Sequence, residues 1–325
     1  MTAATGIEGA HDAADGFESD RRARALLEAL PYIRRFRGAV VVVKYGGHAM
    51  TDPALAASFA RDIVLVRSVG LHPVVVHGGG PQIGEHLRRL GKQSEFRDGL
   101  RVTDEETLEV ARMVLVGKVG RDIVNAINAN GGAALGLSGE DGRLVTAVPR
   151  DPALGFVGDV AEVNPRIIER LVTREIVPVV SSIGADAGGQ AYNINADTMA
   201  AALAGALDAA KVVYLTDVPG LLADPADPSS LVSRATVTDV EAMIVSGAVN
   251  GGMIPKAQAC INAVRAGAGS AHMLDGRIPH AVLLELFTDA GIGTMITDST
   301  DRTERIDSTE RIDSTESTGS TEEQP

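Results

Sequence analysis

Apolar runs that alternate with helical patterns predict an α/β protein with a mainly parallel sheet. Residues 40–43 are four consecutive valines and residues 73–77 repeat such a run, which is typical of strands buried on both faces. Between them, Asp52 and Pro53 predict the N-cap and first residue of a helix that Gly70 ends. Two strands joined by a helix form a right-handed βαβ unit, so both strands end at the same edge of the sheet.

The rest of the chain continues this alternation with shorter elements. The patterns predict a short hairpin or irregular loop at 96–102, a helix from a Thr103–Glu106 capping box to about residue 128, a small antiparallel flap at 133–163, helices at 166–174, 238–246 and 279–287, and strands at 176–182, 211–216, 270–274 and 294–297. Further helices open near Asp197 and after Gly251. Gly117 and Gly120 interrupt the long helix, and we expect them where another element packs closely.

A helix precedes the first strand. Apolar residues recur at helical spacing in the order Leu26, Leu27, Leu30, Ile33 and Phe36. We therefore predict a helix over 19–37, kinked at Pro31, whose apolar face either caps the sheet or packs on another subunit. Residues 1–18 and 298–325 are polar and acidic, and we expect both to be disordered because they have little apolar surface to bury.

The net charge of −13 sits mainly in the ends of the chain. Residues 1–20 carry −5 and residues 297–325 carry −6, which leaves −2 for the segment between them. Without a basic stripe we expect no nucleic-acid partner. The single cysteine excludes an internal disulfide, and no apolar run approaches the ~20 residues of a membrane helix. With no signal-peptide pattern at the start, we expect a cytoplasmic protein without a membrane partner.

Candidate chemistry lies where the predicted strands end. Lys44 leaves the first strand and is followed by Gly46 and Gly47, and the second strand ends before Gly79 and Gly80. Bare backbone amides beside a cation favour an anion such as phosphate, although on this stretch alone a solvated strand-end lysine is equally plausible. Walker A, G-x-G-x-x-G after a strand, G-x-S-x-G and zinc-ligand spacings are all absent.

Two lysines and one acid suit phosphoryl transfer. Lys44 and Lys256 both lie beside glycine-rich segments, so one could stabilise the incoming oxygen and the other the leaving oxygen. Asp197 could hold both ammonium groups in place. Its alternative interpretation, an ordinary helix N-cap, is the more common role of such an aspartate.

Six short motifs stand in an order that resembles one family. They are Val-Lys-Tyr-Gly-Gly at 43–47, His-Gly-Gly-Gly-Pro at 77–81, Gly-Leu-Arg-Val-Thr at 99–103, Asn-Ile-Asn-Ala-Asp at 193–197, Leu-Thr-Asp-Val-Pro-Gly-Leu at 215–221 and Gly-Gly-Met-Ile-Pro-Lys at 251–256. This series resembles the acetylglutamate kinases of the amino acid kinase superfamily and covers residues 22–297. Each motif alone is weak, but six in order are specific.

The resemblance implies an αβα sandwich around a mainly parallel sheet, with an amino-acid-substrate lobe at 38–195 and a nucleotide-binding lobe at 196–297. It implies ATP, with Mg²⁺ carried by the nucleotide and no metal site on the protein, and N-acetyl-L-glutamate as the phosphoryl acceptor in arginine biosynthesis. Lys44, Lys256 and Asp197 would be catalytic. The substrate-binding residues would be Gly79, Gly80, Arg101 and Asn193. The phosphate- and nucleotide-binding residues would be Gly46, Gly47, Asp217, Val218, Gly220, Leu222 and Asn250.

Two other functions stay open. One is the same chemistry on an aminoadipate derivative held by a carrier protein. Arg101 argues against this alternative, because it suits a small free carboxylate. The other is a catalytically silent amino-acid sensor. The presence of both lysines and Asp197 argues against this alternative.

The N-terminal helix and the C-terminal region resemble the arginine-sensitive branch of the family. The residues implied for an L-arginine effector site are Tyr32, His272, Glu285 and Gly293. The resemblance also implies a hexamer, built as a trimer of dimers through the helix at 19–37. Against this, Glu285 could be an exposed helix residue and the helix a simple cover for the sheet.

Overall fold

The computed structural model describes residues 8–289 and 291–298. Its helices are α1 (Glu8–Phe36), α2 (Pro53–Ser68), α3 (Gly80–Arg89), α4 (Glu105–Arg112), α5 (Gly120–Ala129), α6 (Arg166–Val172), α7 (Ala196–Ala206), α8 (Val237–Ser246), α9 (Met253–Arg265) and α10 (Ala281–Phe287). Its strands are β1 (Val40–Tyr45), β2 (His72–His77), β3 (Phe96–Arg97), β4 (Leu100–Arg101), β5 (Ala134–Ser138), β6 (Val145–Pro149), β7 (Val157–Val163), β8 (Val177–Ser181), β9 (Ile183–Ala185), β10 (Ala191–Ile194), β11 (Lys211–Thr216), β12 (Arg234–Thr236), β13 (Ala271–Asp275) and β14 (Thr294–Thr297).

Eight strands form the central sheet in the order β12-β14-β13-β11-β1-β2-β8-β5. Neighbouring strands run parallel except β13 and β14, which are antiparallel. Along β1, Val42 packs into the layer that contains α7 and α9, whereas Val41 and Val43 pack into the layer that contains α2 and α10. Helices therefore cover both faces, and the predicted αβα sandwich around a mainly parallel sheet is confirmed.

The predicted flap at 133–163 is only partly correct. Strands β6 and β7 are antiparallel, and together with β9 and β10 they close into a small four-stranded barrel. Strand β5 instead pairs in parallel with β8 at the edge of the main sheet. The error arose because β5 has five residues, including a glycine, and its true partner lies about forty residues further along the chain.

The N-terminal helix is longer than predicted. It begins at Glu8 instead of residue 19, so the expectation of disorder is wrong for 8–18, while residues 1–7 and 299–325 lie outside the described part. Tyr32, Ile33 and Phe36 pack against the core, but Leu26 and Leu27 are 76% and 66% exposed. The helix thus covers the sheet with its last turns and leaves an apolar surface on the turn before them. No described helix is long and apolar enough to cross a membrane.

The long helix after the β3–β4 hairpin differs from its prediction in two ways. Its N-cap is Asp104, whose carboxylate accepts the Thr107 N–H at 2.9 Å, so the predicted Thr103 cap is wrong. Residues Met113–Val119 form a π-helical segment between α4 and α5. Gly120 packs closely as expected, because an added Cβ would lie 3.2 Å from His77 Nε2, whereas Gly117 has open space beside it.

Candidate active site

A cleft of about 300 Å³ lies at the carboxyl edge of the sheet, where β1 and β2 end. Parallel strands present their carboxyl ends together, which is where ligands bind in α/β sheets. Two glycine loops line it, the first formed by Gly46 and Gly47 after β1 and the second by Gly78–Gly80 after β2. Lys44, Arg101, Asn193 and Asp197 line the same cleft. The structure thus brings together the predicted residues Lys44, Arg101, Asn193 and Asp197 with both glycine loops.

Lys44 pairs with Asp197 inside this cleft. Lys44 Nζ lies 2.9 Å from Asp197 Oδ1, and the two side chains are 16% and 25% exposed. The N-cap of α7 is Asn195, whose Oδ1 accepts the N–H groups of Asp197 and Thr198 at 2.8 and 3.2 Å. The capping interpretation of Asp197 is therefore wrong, and its carboxylate is directed to the lysine.

The second glycine loop opens α3 without a side-chain cap. Gly79 is the N-cap residue, and a Cβ there would lie 2.7 Å from Leu115 Cδ2 and 3.2 Å from Val119 Cγ2 in the π-helical segment. Only glycine lets the loop approach that segment so closely. Backbone N–H groups at the uncapped start of a helix favour an anion, so the loop suits a carboxylate or phosphoryl group.

Arg101 is a buried cation in the wall of the cleft. Its guanidinium donates to the Ser94 hydroxyl and, at 2.9 Å, to the carbonyl of Gly80, and it lies 4.6 Å from the centre of the Phe96 ring. Burial lowers the pKa of Arg101. These contacts fix the plane of the guanidinium while no described carboxylate pairs with it, so an incoming carboxylate would be its natural partner.

Asn193 is linked to Arg101 through the side-chain hydroxyl of Thr103. The Asn193 side-chain N–H donates to Thr103 Oγ1 at 3.3 Å, and the Thr103 hydroxyl donates to the carbonyl of Arg101 at 2.8 Å. Thr103 is fully buried, so this link ties β10 of the small barrel to the hairpin strand β4. The predicted substrate residues are thereby held in one fixed arrangement.

Lys256 does not share Asp197 with Lys44. Its Nζ lies 2.5 Å from Asp217 Oδ1, at the carboxyl end of β11, so the expectation that Asp197 holds both lysines is not met in this structure. Val218, Gly220 and Leu222 follow Asp217 in one turn. That turn is fixed by Thr216 Oγ1, which donates to the Val218 carbonyl at 3.0 Å.

Gly220 has φ of 151°, and a Cβ there would lie 2.5 Å from Thr294 Oγ1. The same Thr294 hydroxyl accepts the Leu221 N–H at 2.8 Å, and Leu222 bridges to Leu231. Asn250 lies just before α9, where its side chain donates to the Gly247 carbonyl at 3.1 Å. Among the predicted phosphate- and nucleotide-binding residues, Val218, Gly220 and Leu222 follow Asp217 directly and Asn250 precedes the helix that carries Lys256. Gly46 and Gly47 instead line the cleft that holds Lys44. In the described residues no group of three or more His, Cys, Asp or Glu is placed to hold a metal ion.

The residues implied for an effector site lie around α1 and α10. Tyr32 donates to Asp289 Oδ1 at 2.5 Å, and burial raises the pKa of this tyrosine to about 12. Glu285 is not an exposed helix residue: its Oε1 lies 2.6 Å from His272 Nδ1, and its Oε2 accepts the N–H groups of Ile292 and Gly293 at 2.8 and 3.3 Å. Tyr32 is thus bonded to Asp289, while Glu285 is bonded to both His272 and Gly293.

Charge is unusually buried around His272. Burial lowers the pKa of His272 to about 4 and that of neighbouring Lys211 to about 8. Burial also raises the pKa of Glu285, but the bonds from His272 and Ile292 outweigh it and hold that pKa below its ordinary value. A neutral imidazole therefore donates to an ionised carboxylate, with the Lys211 ammonium 3.4 Å from the other ring nitrogen.

Comparison with known proteins identifies the family. The profile of the Amino acid kinase family matches residues 39–275. An acetylglutamate kinase from Syntrophomonas wolfei subsp. wolfei is 53% identical over 279 residues, which are 85% of this chain and 97% of the relative. One from Acidothermus cellulolyticus is 56% identical over 286 residues, 85% of this chain and 96% of the relative. The chain belongs to the acetylglutamate kinases. It is therefore a kinase of the amino acid kinase family.

A solved structure supports the fold assigned to this acetylglutamate kinase family member. N-acetylglutamate synthase from Neisseria gonorrhoeae, complexed with coenzyme A and N-acetyl-glutamate, matches with a TM-score of 0.75 at 24% sequence identity. The match covers 86% of this chain and 64% of that chain. At this identity the likeness concerns the fold alone.

Sequence reasoning missed several residues of the site in this acetylglutamate kinase family member. Asn195 was passed over because two polar residues near a helix start compete for the cap. Lys211 gave one usable signal, since this lysine opens a mostly apolar strand whose first five residues are buried. Ser94 and the π-helical segment gave none, because both matter only through contacts with distant parts of the chain.

Proposed function

We propose that this chain transfers the γ-phosphoryl group of ATP to the side-chain carboxylate of N-acetyl-L-glutamate, which yields N-acetyl-L-glutamyl 5-phosphate and ADP in arginine biosynthesis. The observation that carries the proposal is one cleft that holds both the Lys44–Asp197 pair and the buried Arg101. An acceptor with two carboxylates needs two such anchors, one cationic clamp for the carboxylate that stays and one cation beside the carboxylate that reacts.

Arg101 and Asn193 would orient the substrate in the cleft. Arg101 would bind the α-carboxylate in two-point fashion, and Asn193 would hydrogen-bond the acetylated amino end. The side-chain carboxylate would then lie beside Lys44 and the first glycine loop. The N–H groups of the second loop would hold oxygens of the migrating phosphoryl group.

The transfer itself requires little covalent help. A carboxylate oxygen forms a bond to the γ-phosphorus while the bond from that phosphorus to the bridging oxygen of ADP breaks, and no proton has to move because the acceptor is already ionised. Lys44 would neutralise charge on the incoming side and Lys256 on the leaving side. Mg²⁺ would enter with ATP as part of that substrate and would neutralise part of the charge on its phosphates.

A coupled ADP-release assay across N-acetylglutamate, glutamate, aspartate and N-acetyl-aminoadipate tests this function. We expect turnover with N-acetylglutamate and a kcat/KM roughly 10- to 200-fold lower for N-acetyl-aminoadipate, because one added methylene displaces the reacting carboxylate from Lys44. A further arm contains an aminoadipate derivative attached to a carrier protein, and turnover in that arm alone would favour that alternative. Binding without ADP release in any arm would favour the silent sensor.

We further propose that L-arginine inhibits the enzyme as a feedback effector at the α1–α10 corner, in a hexamer built as a trimer of dimers. Two observations support this. Leu26 and Leu27 on α1 are exposed, which suits a partner helix. The Tyr32–Asp289 bond couples α1 to the segment that follows α10.

Glu285 accepts three hydrogen bonds within the chain and its side chain is only 5% exposed. A guanidinium can reach Glu285 only after the 291–294 segment has moved. This fits an effector that binds one arrangement of the enzyme better than another.

Glu285→Gln should weaken inhibition by arginine by roughly 30-fold or more, because losing a buried charge pair costs ~2–5 kcal/mol. The inhibition constant is read from kcat at increasing arginine. Glu241→Gln is the matched control, since Glu241 pairs with Arg265 at an exposed position. Deleting residues 1–37 should yield active dimers that arginine inhibits only weakly. Light scattering measures the oligomer mass, and the coupled assay measures the inhibition. An intact enzyme that ignores millimolar arginine would rule the regulation out.

A further inference from the structure

A polar contact between a buried aspartate and a half-exposed histidine fastens the nucleotide lobe to α2 of the substrate lobe. His280 Nδ1 lies 2.6 Å from Asp62 Oδ1, and the His280 N–H donates to Ser58 Oγ at 2.9 Å. Asp62 and Ser58 are 1% and 4% exposed. Because an ionised carboxylate only accepts hydrogen bonds, the histidine ring donates from Nδ1. Neither residue lines the cleft that holds Lys44.

His280 adopts a backbone conformation that favours glycine or asparagine. Its φ is 60° and its ψ is 26°, in the left-handed region, at the residue that precedes α10. Strained positions of this kind persist where surrounding contacts over-determine them, and they concentrate at functional sites. Both the ring and the N–H of His280 are held by α2, so the contact with α2 explains why a histidine occupies this turn.

The bridging segment, residues 276–280, reaches both halves of the site at its other end. The Gly276 N–H donates to the carbonyl of Thr216 at 2.9 Å, one residue before Asp217. A Cβ on Gly276 would lie 3.2 Å from Ala49 Cβ and 3.2 Å from Leu215 Cβ. Gly276 is thus wedged between the end of β11 and the turn that follows the first glycine loop.

Helix α2 supports that same turn from the opposite side. The Tyr45 hydroxyl donates to the Ala49 carbonyl at 2.7 Å, and the Tyr45 ring stacks on Phe59 with 3.9 Å between centroids. Phe59 lies between Ser58 and Asp62 on α2. One helix therefore holds the first glycine loop through Tyr45 and the bridging segment through His280.

The buried carboxylate is not explained by stability alone. Burial raises the pKa of Asp62 to about 6, and the hydrogen bond and charge of His280 oppose this only in part. A contact between a buried carboxylate and a histidine whose side chain is 46% exposed adds little to folding stability, because solvent screens the exposed ring. The contact therefore has to be explained by the geometry that it fixes.

We propose that Asp62 and His280 are positioning residues for phosphoryl transfer: they hold the bridging segment so that the first glycine loop with Lys44 and the Asp217–Lys256 pair keep a fixed separation. This inference rests on the proposed function. Loosening the contact lets the two halves of the site shift against each other, which lowers the rate of transfer more than it weakens the binding of either substrate.

The decisive variant is His280→Gly in the full-length protein. Glycine relieves the backbone strain and removes the ring, but it leaves the buried Asp62 carboxylate without that partner, so Tm should fall whatever the role of the turn. The positioning role predicts, in addition, a kcat about 10- to 100-fold lower at a temperature well below Tm, with little change in KM for ATP or N-acetylglutamate. Asp208→Gly is the matched control, because Asp208 also has a positive φ of 45° in an exposed turn; its kcat should not change.

The partner side of the contact gives a rescue test. Asp62→Asn keeps an oxygen that accepts from His280 and should retain most of kcat, whereas Asp62→Ala should match His280→Gly. Combining Asp62→Ala with His280→Gly should lose no more than either alone, because both remove the same contact. Additive losses, or a wild-type kcat for His280→Gly, would overturn the proposal.

Amide hydrogen exchange separates this inference from the proposed function. In His280→Gly, amides of residues 46–50 and 276–280 should exchange faster than in the wild type and in Asp208→Gly. Unchanged exchange there would overturn the positioning role even if the enzyme phosphorylates N-acetylglutamate. A wild-type enzyme without that activity would instead remove the proposed function, while the exchange result still decides whether the contact fastens the two segments.

Discussion

Lys44→Ala and Lys256→Ala are each expected to lower kcat by about 10²–10³-fold, which corresponds to ~3–4 kcal/mol of transition-state stabilisation. Both lysines lie beside a carboxylate at the carboxyl edge of the sheet, Lys44 with Asp197 and Lys256 with Asp217. During transfer, negative charge moves from the γ-phosphoryl oxygens toward the bridging oxygen of ADP, and the lysines act on this redistributed charge. The loss should therefore fall on kcat and leave substrate affinity much less changed.

Steady-state kinetics and isothermal titration of each substrate measure the two quantities separately. Lys118→Ala is the matched control, because it also removes a lysine from an aspartate, Asp122, at 3.0 Å, but at a position 51% exposed. Its kcat should stay at the wild-type value. A Lys44 or Lys256 variant with near-native kcat would remove that lysine from the mechanism.

The sheet and most helices could be predicted because their signals are local. The four valines at 40–43 are apolar on both faces of the strand. Val41, Val42 and Val43 are fully buried and Val40 is partly buried, because helices cover both sides of the sheet. Asp52 with Pro53 was correctly predicted to start α2, and Asp52 Oδ1 accepts the Ala54 and Leu55 N–H groups. Such signals need no knowledge of the rest of the chain.

The helix starts in the site could not be predicted to the residue. Thr103 and the neighbouring Asp104 are both potential N-caps, and so are Asn195 and Asp197, which lie two positions apart. Residue type alone does not indicate which member of each pair caps the helix. The backbone chooses: Asn195 has an extended ψ of 129° that directs its side chain back at the helix N–H groups. The same choice leaves the Asp197 carboxylate available to Lys44.

Contacts between distant residues were also beyond the sequence. His280 and Asp62 are separated by 218 positions, and Lys211 and His272 by 61. Nothing in the sequence indicates which distant residue each of them contacts. Only the packing of α2 against α10, and of β11 against β13, brings them together and buries Asp62, Lys211 and His272.

Asp197→Asn should lower kcat by about 10²-fold while leaving Tm almost unchanged. Asn195 supplies the cap of α7, so the helix keeps its N-terminal hydrogen bonds when Asp197 loses its charge. Lys44 Nζ then loses the carboxylate 2.9 Å away that holds it, and a misplaced cation near the reacting atoms costs a factor of this order.

Thr236→Ala provides the opposite case for comparison. Thr236 caps α8 in a reciprocal capping box with Asp239, outside the cleft, so its loss should cost about 1 kcal/mol of unfolding free energy with kcat preserved. Thermal unfolding and the coupled assay, run on both variants, separate the two effects. If Asp197→Asn behaves like Thr236→Ala, with lowered stability and native kcat, then Asp197 serves the helix and not the lysine.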